Sequence, residues 1–84
     1  MLQPKSIKES IQQGLPDAEV IVTGDDGTHF EAVVISAQFE GKSLLQQHQL
    51  VYHTLGDRFT QDIHALALKT YTPVAWQTKQ SSSK

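Results

Sequence analysis

The segment from Asp62 to Trp76 constrains the fold more than any other part of the sequence. Its first part, about Ile63 to Tyr71, is an apolar run that predicts one largely buried β-strand, with His64 at its entrance. Thr72-Pro73 then supplies a helix start, because proline suits the first helical turn. The segment therefore predicts a strand followed directly by a short helix that carries Trp76, the only tryptophan.

The N-terminal region predicts a helix over about residues 4–13. Ile7 and Ile11 lie four residues apart and share one helical face. Ser6 and Glu9 have the spacing of a capping box, Pro4 suits a first turn, and Gly14 follows as a stop. The sequence therefore predicts an amphipathic helix that opens the domain.

Two strands with a tight turn between them follow this helix. Residues 18–23 alternate, with Val20 and Val22 on one face and Ile21 on the other. The turn, residues 24–27, contains an Asp-Gly pair, a standard hairpin signal, and a strand over about residues 28–36 follows it. The G-x-x-G pattern of this turn also occurs in nucleic-acid-binding loops, but its two carboxylates would repel phosphates. We therefore interpret it as a hairpin turn.

A second helix is predicted from a cap at Ser43 to about Leu55, and Gly56 ends it. Its expected core-facing stripe is Leu44, His48, Val51 and Leu55, widened by Leu45 and Tyr52.

The predicted order is helix, strand, strand, helix, strand, helix. It indicates an α+β fold with a three-stranded mixed β-sheet and helices packed on one face, because a helix between the second and third strands allows them to run parallel. This arrangement resembles the KH type. We expect one domain over residues 1–79 and a frayed polar tail over residues 80–84.

Composition excludes several classes of protein. With no cysteine, the 84-residue chain forms no disulfide and holds no zinc by thiolates of its own. Its net charge of −2 argues against a general nucleic-acid binder, which normally carries a basic patch. There is no apolar run of about 20 residues and no signal-peptide layout, so we expect a cytoplasmic protein without a membrane role. No spacing of nucleophile, base and acid indicates an enzyme.

The four histidines have different expected roles. His48 lies on the apolar stripe and is expected to pack, whereas His53 lies off it and is expected to be solvated. His29 begins the second strand and His64 begins the third, and each is either an ordinary strand residue or a ligand. If these strands are parallel neighbours, both imidazoles lie at one sheet edge. Two imidazoles do not make a structural zinc site, but they can complete a site whose thiolates come from a partner.

Two segments resemble motifs of BolA-like proteins. Residues 39–52, from Phe39 to Tyr52, are similar to the central motif of that family, and Ile63 to Pro73 with Trp76 are similar to its C-terminal motif. The resemblance covers about residues 18–76, in the family's order and spacing. It corresponds to a short bacterial-type member with a histidine in the first loop.

The resemblance implies a class II KH-like fold and a specific partner. That partner is a monothiol CGFS-type glutaredoxin, with which a BolA-like protein shares a glutathione-dependent 2Fe–2S cluster. The C-terminal-motif histidine maps onto His64, and the loop ligand maps onto His29. No cofactor is expected on the isolated chain, which should be a monomer or weak homodimer. Residues expected to contact a partner or nucleic acid are Lys42, His48, Lys69, Thr72 and Trp76.

The sequence departs from the family at two places. Gln47 and Gln49 stand where many members carry arginines beside the central histidine, and the loop before His29 is short. Three functions stay open: an iron–sulfur adaptor, a DNA-binding regulator that uses Gly41–Leu55, and an interaction module without metal. Because few cations lie near the second helix, we expect any DNA binding to be weak.

Overall fold

The computed structural model describes residues 3–24, 29–56 and 65–82. In chain order its elements are helix α1 (Pro4–Gly14), strands β1 (Glu19–Thr23) and β2 (His29–Ile35), a 3₁₀ turn (Ala37–Phe39), helix α2 (Leu44–Leu55), strand β3 (Ala65–Tyr71) and helix α3 (Pro73–Ser82). The predicted order of helices and strands is confirmed. Two segments for which the sequence made predictions lie outside the described residues. They are residues 25–28 of the hairpin turn and residues 57–64, which include Ile63 and His64.

The three strands form one mixed sheet in the order β1-β2-β3. Strands β1 and β2 are antiparallel, with Val20 opposite Val34. Strands β2 and β3 are parallel, in a register that runs from His29 opposite Ala65 to Ile35 opposite Tyr71. Helix α1 packs against β1 and α2, and α2 packs against β3. The α+β fold with a three-stranded mixed sheet is therefore confirmed.

The core lies between the sheet and helices α1 and α2. Along β1, Val20 is 3% exposed while its neighbour Ile21 is 41% exposed, so the alternation expected from the sequence is present. Burial of each large apolar side chain contributes roughly 1.5–3 kcal/mol. The main core residues are Ile7, Ile11, Leu15, Val20, Phe30, Val34, Phe39, Val51 and Leu55.

The start of α1 differs from the prediction. The helix begins at Pro4, its N-cap is Gln3, and no side chain caps it, so the predicted capping box of Ser6 and Glu9 is wrong. The fixed φ of Pro4 starts the helix early enough that Ser6 already lies inside it, where its N–H donates to the Gln3 carbonyl over 3.0 Å.

The ends of α2 agree with the prediction. The Ser43 hydroxyl accepts a hydrogen bond from the Gln46 N–H, and the Gln46 side chain accepts one from the Ser43 N–H. This reciprocal capping box satisfies two N–H groups that have no partner within the helix. At the other end, Gly56 adopts a φ of 59°, a conformation that glycine tolerates best.

The predicted core-facing stripe of α2 is correct only in its second half. Val51 and Leu55 are buried, but Leu44, Leu45 and Tyr52 are 63%, 68% and 48% exposed. His48 is half-buried. Position 47, which lies four residues before Val51 and eight before Leu55, also faces inward, whereas Leu44 is the first residue of the helix and stays exposed although it shares the face of Val51.

Helix α3 continues to Ser82, three residues beyond the expected end of the domain at residue 79. Its first turn contacts β3 through an aromatic pair, Tyr71 and Trp76, whose ring centroids are 5.2 Å apart. Within the described ranges, no helix is long and apolar enough to cross a membrane.

Candidate functional site: the edge at which the parallel strands begin

The N-terminal edge of the β2–β3 pair contains the first candidate ligand. His29 opens β2 and pairs with Ala65, the first residue of β3. The side chain of His29 is exposed, whereas that of the next residue, Phe30, is 3% exposed. The ring of Phe30 therefore anchors the start of the strand in the core while strand alternation directs His29 outward.

A glycine allows the chain to pass close to this edge. A Cβ atom at Gly24 would lie 2.6 Å from Cδ1 of Phe30 and 3.0 Å from the carbonyl oxygen of His29. Any larger residue would therefore displace the aromatic anchor or the backbone beside the histidine. Gly24 thus fixes how the end of β1 meets the start of β2.

The second candidate ligand, His64, lies outside the described residues. It directly precedes Ala65 in the chain, and Ala65 is the partner of His29 in the sheet. The condition on which the sequence argument depended, parallel and adjacent second and third strands, is met. The role of His64 itself stays a prediction.

Of the two candidate ligands at this edge, the structure describes His29. In the part of the chain that the structure describes, no group of three or more His, Cys, Asp or Glu side chains could hold a metal ion. A structural zinc site takes four protein ligands. An exposed imidazole such as that of His29 can supply one neutral nitrogen ligand to a metal.

Two of the predicted partner-contacting residues lie at the other end of the sheet. Thr72 follows Tyr71, which pairs with Ile35, the last residue of the β2–β3 ladder. Six residues of strand separate this end from His29, a distance of about 20 Å. The Thr72 hydroxyl accepts from the Ala75 N–H over 3.2 Å, so it caps α3. Trp76 packs on Tyr71. These residues and His29 do not form one site.

The remaining three predicted contact residues are divided between two faces. Lys42 lies just before α2 and is exposed, and His48 lies on α2 and is half-buried. Lys69 is exposed and adjoins Thr70, whose side chain contacts α2, so Lys69 belongs to the opposite face of the sheet. The structure therefore does not bring the five residues into a single patch.

The structural role of Gln47 was not predicted from the sequence. Its amide donates to the carbonyls of Phe39 at 3.3 Å and Lys42 at 3.1 Å, and its oxygen accepts from the Thr70 hydroxyl. One side chain therefore joins α2, the segment before it and β3. The available signal was its spacing of four and eight residues from Val51 and Leu55.

A second polar network joins the α1–β1 connection to the end of β2. Asp17 accepts hydrogen bonds from the Ser36 hydroxyl at 2.9 Å, the Ala37 N–H at 3.0 Å and the Gln38 side-chain amide at 3.0 Å. Desolvation alone would raise the pKa of Asp17, but hydrogen bonds from Gln38, Ser36 and Ala37 together outweigh it and lower that pKa.

Comparison with known proteins identifies the class and then the family. The three-stranded sheet with its helices is shared with a bolA protein homologue from Coxiella burnetii, which is 49% identical, covers 92% of this chain and 99% of its own, and has a TM-score of 0.81. The profile described as BolA-like protein matches residues 5–75. The chain belongs to the BolA-like protein family.

Curated relatives agree with this assignment. BolA-like protein 1 of Mus musculus is 44% identical over 50 residues, which are 60% of this chain and 36% of that protein. The DNA-binding transcriptional regulator BolA of Escherichia coli is 38% identical over 55 residues, which are 66% of this chain and 52% of that protein. The match therefore spans between about a third and about a half of the length of these relatives.

Proposed function

We propose that the protein is a non-enzymatic adaptor that binds a monothiol CGFS-type glutaredoxin and shares a glutathione-dependent 2Fe–2S cluster with it. The adaptor would act in iron–sulfur cluster trafficking or in iron and redox sensing. The observation that carries the proposal is the pairing of His29 with Ala65. Because one peptide bond separates Ala65 from His64, this pairing supports a common edge for the two ligands.

Each histidine would offer one neutral imidazole nitrogen to the cluster. The chain lacks cysteine, so sulfur ligands would come from the glutaredoxin and from glutathione, as the family resemblance implies. Imidazole in place of thiolate lowers the negative charge on one iron and raises the reduction potential. The bound cluster would supply one-electron redox chemistry or itself be the cargo. We further propose a cytoplasmic location and a monomer or weak homodimer in isolation.

Anaerobic reconstitution tests this proposal. Glutaredoxin, glutathione, iron and sulfide are combined with and without the protein, and the visible circular dichroism is recorded. We expect the protein to change the spectrum of the cluster. His64→Ala should weaken or alter that change, and His29→Ala should do so as well if the loop ligand is correctly assigned.

His53→Ala is the matched control, because His53 is an exposed histidine on α2. It should behave like the wild type. If His64→Ala and His53→Ala both give the wild-type spectrum, His64 is not a ligand. If the protein binds glutaredoxin without any change in the spectrum, it is an interaction module without metal.

The alternative function is DNA binding through Gly41–Leu55. One observation favours it: a relative that is 38% identical is named a DNA-binding transcriptional regulator. This region carries one lysine and no arginine, so few phosphates can be neutralised. With one or two phosphate contacts, log K should fall against log salt with a slope of about −1 to −2. A mobility shift that persists at physiological salt would favour DNA binding over the adaptor role.

A further inference from the structure

In the first half of α2, a polar side chain faces inward while two leucines are exposed. Gln47 faces inward and is hydrogen-bonded to Phe39, Lys42 and Thr70. Leu45 faces outward and is 68% exposed, and Leu44, the first residue of the helix, is 63% exposed. A surface helix normally buries its leucines against the core. These two leucines contribute little to the core of this chain and are available for contact with another molecule.

The outer α2 surface, as we call it, consists of the exposed side chains of Leu45, Gln49, Tyr52 and His53 on the outward side of the helix, with Lys42 just before it. Two shallow depressions lie along the helix and share Gln49 and His53. The first also includes Lys42, and the second also includes Tyr52. Leu45 lies four residues from Gln49 and seven from Tyr52, on the same side of the helix. Helix α2 itself has 12 residues and is about 18 Å long, slightly more than three helical turns.

The charge of the outer α2 surface selects the kind of partner. Residues 41–56 include one lysine and two histidines but no aspartate or glutamate, although the chain has nine acidic residues. Acidic side chains of a partner would therefore meet no like charge there. Of the five large apolar side chains that are exposed in the described part of the chain, three lie on α2: Leu44, Leu45 and Tyr52.

We propose that the outer α2 surface binds an acidic amphipathic helix of another protein. Apolar residues of that helix, at spacings of three, four and seven, would cover Leu45 and Tyr52, and its carboxylates would lie beside Lys42. Duplex DNA fits less well, because its phosphates bind through cations and the outer α2 surface offers one lysine beside two apolar side chains, Leu45 and Tyr52. The inference does not depend on the cluster proposal, since it involves neither His29 nor His64.

Nuclear magnetic resonance of the ¹⁵N-labelled full chain tests the proposal. The probe is a designed acidic amphipathic peptide of about 15–18 residues, long enough to run along α2. Its controls are a scrambled peptide of the same composition and a DNA duplex at the same salt. We expect saturable shifts confined to α2 with the amphipathic peptide only.

Matched variants define the contact. Leu45→Ser should weaken binding about tenfold, because an apolar anchor is lost. Val74→Ser is its control, since Val74 is 69% exposed on α3. Lys42→Glu should also weaken binding, whereas Lys8→Glu makes the same charge change on the exposed side of α1 and should not.

Four outcomes would overturn the proposal. The amphipathic peptide fails to bind, the scrambled peptide binds equally well, or the shifts map outside α2. In the fourth outcome, duplex DNA at physiological salt shifts the resonances of the same α2 residues, and the outer α2 surface is then a nucleic-acid surface.

Discussion

The hydroxyl of Thr70 on β3 donates a 2.7 Å hydrogen bond to the side-chain oxygen of Gln47 on α2. Thr70 is only 7% exposed, so little water competes for this bond. The same glutamine donates to two carbonyls that precede α2. Position 47 therefore has a structural use in this chain. It ties the inward side of α2 to β3 and to the segment before the helix.

Replacement of Thr70 by valine should destabilise the protein. Valine has nearly the same shape as threonine but leaves the side-chain oxygen of Gln47 without its hydrogen-bond donor. The free energy of unfolding should therefore fall by about 1–3 kcal/mol. Urea unfolding measures this change in the free energy of unfolding. Thr23→Val, at an exposed position on β1, is the matched control and should change stability by less than about 0.5 kcal/mol. Equal effects of the two substitutions would contradict the importance of the bond.

Gly14→Ala should also destabilise the protein, although alanine is the better helix former by about 1 kcal/mol. A Cβ atom at Gly14 would collide with Cγ2 and Cβ of Thr54 on α2. Overpacking of this kind costs about 1–3 kcal/mol, which outweighs the gain in helix propensity. Thermal unfolding measures the effect.

A second substitution makes this prediction specific. Thr54→Ser removes Cγ2 but keeps the hydroxyl that donates to the Val51 carbonyl. The double variant, Gly14→Ala with Thr54→Ser, should recover part of the loss. If it recovers none, the contact between α1 and α2 is not the cause.

The arrangement of the fold could be predicted because it depends on local signals. Alternation at Val20 and Ile21, the cap at Ser43 and the proline at position 73 each define an element with little help from the rest of the chain. The helix between β2 and β3 allows their parallel pairing, and the register observed in the structure confirms it.

Which side chains in the first half of α2 point to the core could not be predicted in the same way. Apolar spacing favours Leu44 as a core residue, yet Leu44 is exposed. Tertiary hydrogen bonds instead hold the side chain of Gln47 inward. Hydrogen-bond partners such as the Phe39 carbonyl are brought together only by the complete fold. The condition for a shared histidine edge, parallel and adjacent second and third strands, is met because His29 pairs with Ala65, and the role of that edge stays a prediction.

The Asp17 network predicts a pH dependence of stability. The hydrogen bonds lower the pKa of Asp17 in the folded protein, so its ionised form stabilises the fold. That stabilisation is present at pH values above the usual range of an aspartate carboxyl and is lost as the pH falls through the lowered pKa. Asp17→Asn should therefore destabilise the protein most near neutral pH, and the difference from wild type should shrink in acid.

Thermal unfolding from neutral to acidic pH measures this dependence. Glu9→Gln, which removes one exposed carboxylate on α1, is the control. A difference between wild type and Asp17→Asn that stays constant with pH would show that the network does not depend on the charge of Asp17.

Two leucines on α2 provide a direct test of which side of the helix belongs to the core. Leu55 is 4% exposed, and Leu55→Ala should cost about 2–5 kcal/mol because it removes buried contacts and leaves a cavity. Leu45 is 68% exposed, and Leu45→Ala should change the free energy of unfolding by less than about 0.5 kcal/mol. Urea unfolding of the two variants measures the contrast, and their identical chemistry removes any difference in helix propensity. A cost at Leu45 as large as that at Leu55 would mean that the first half of α2 packs inward through its leucines, and the outer α2 surface would then not be free to receive a partner.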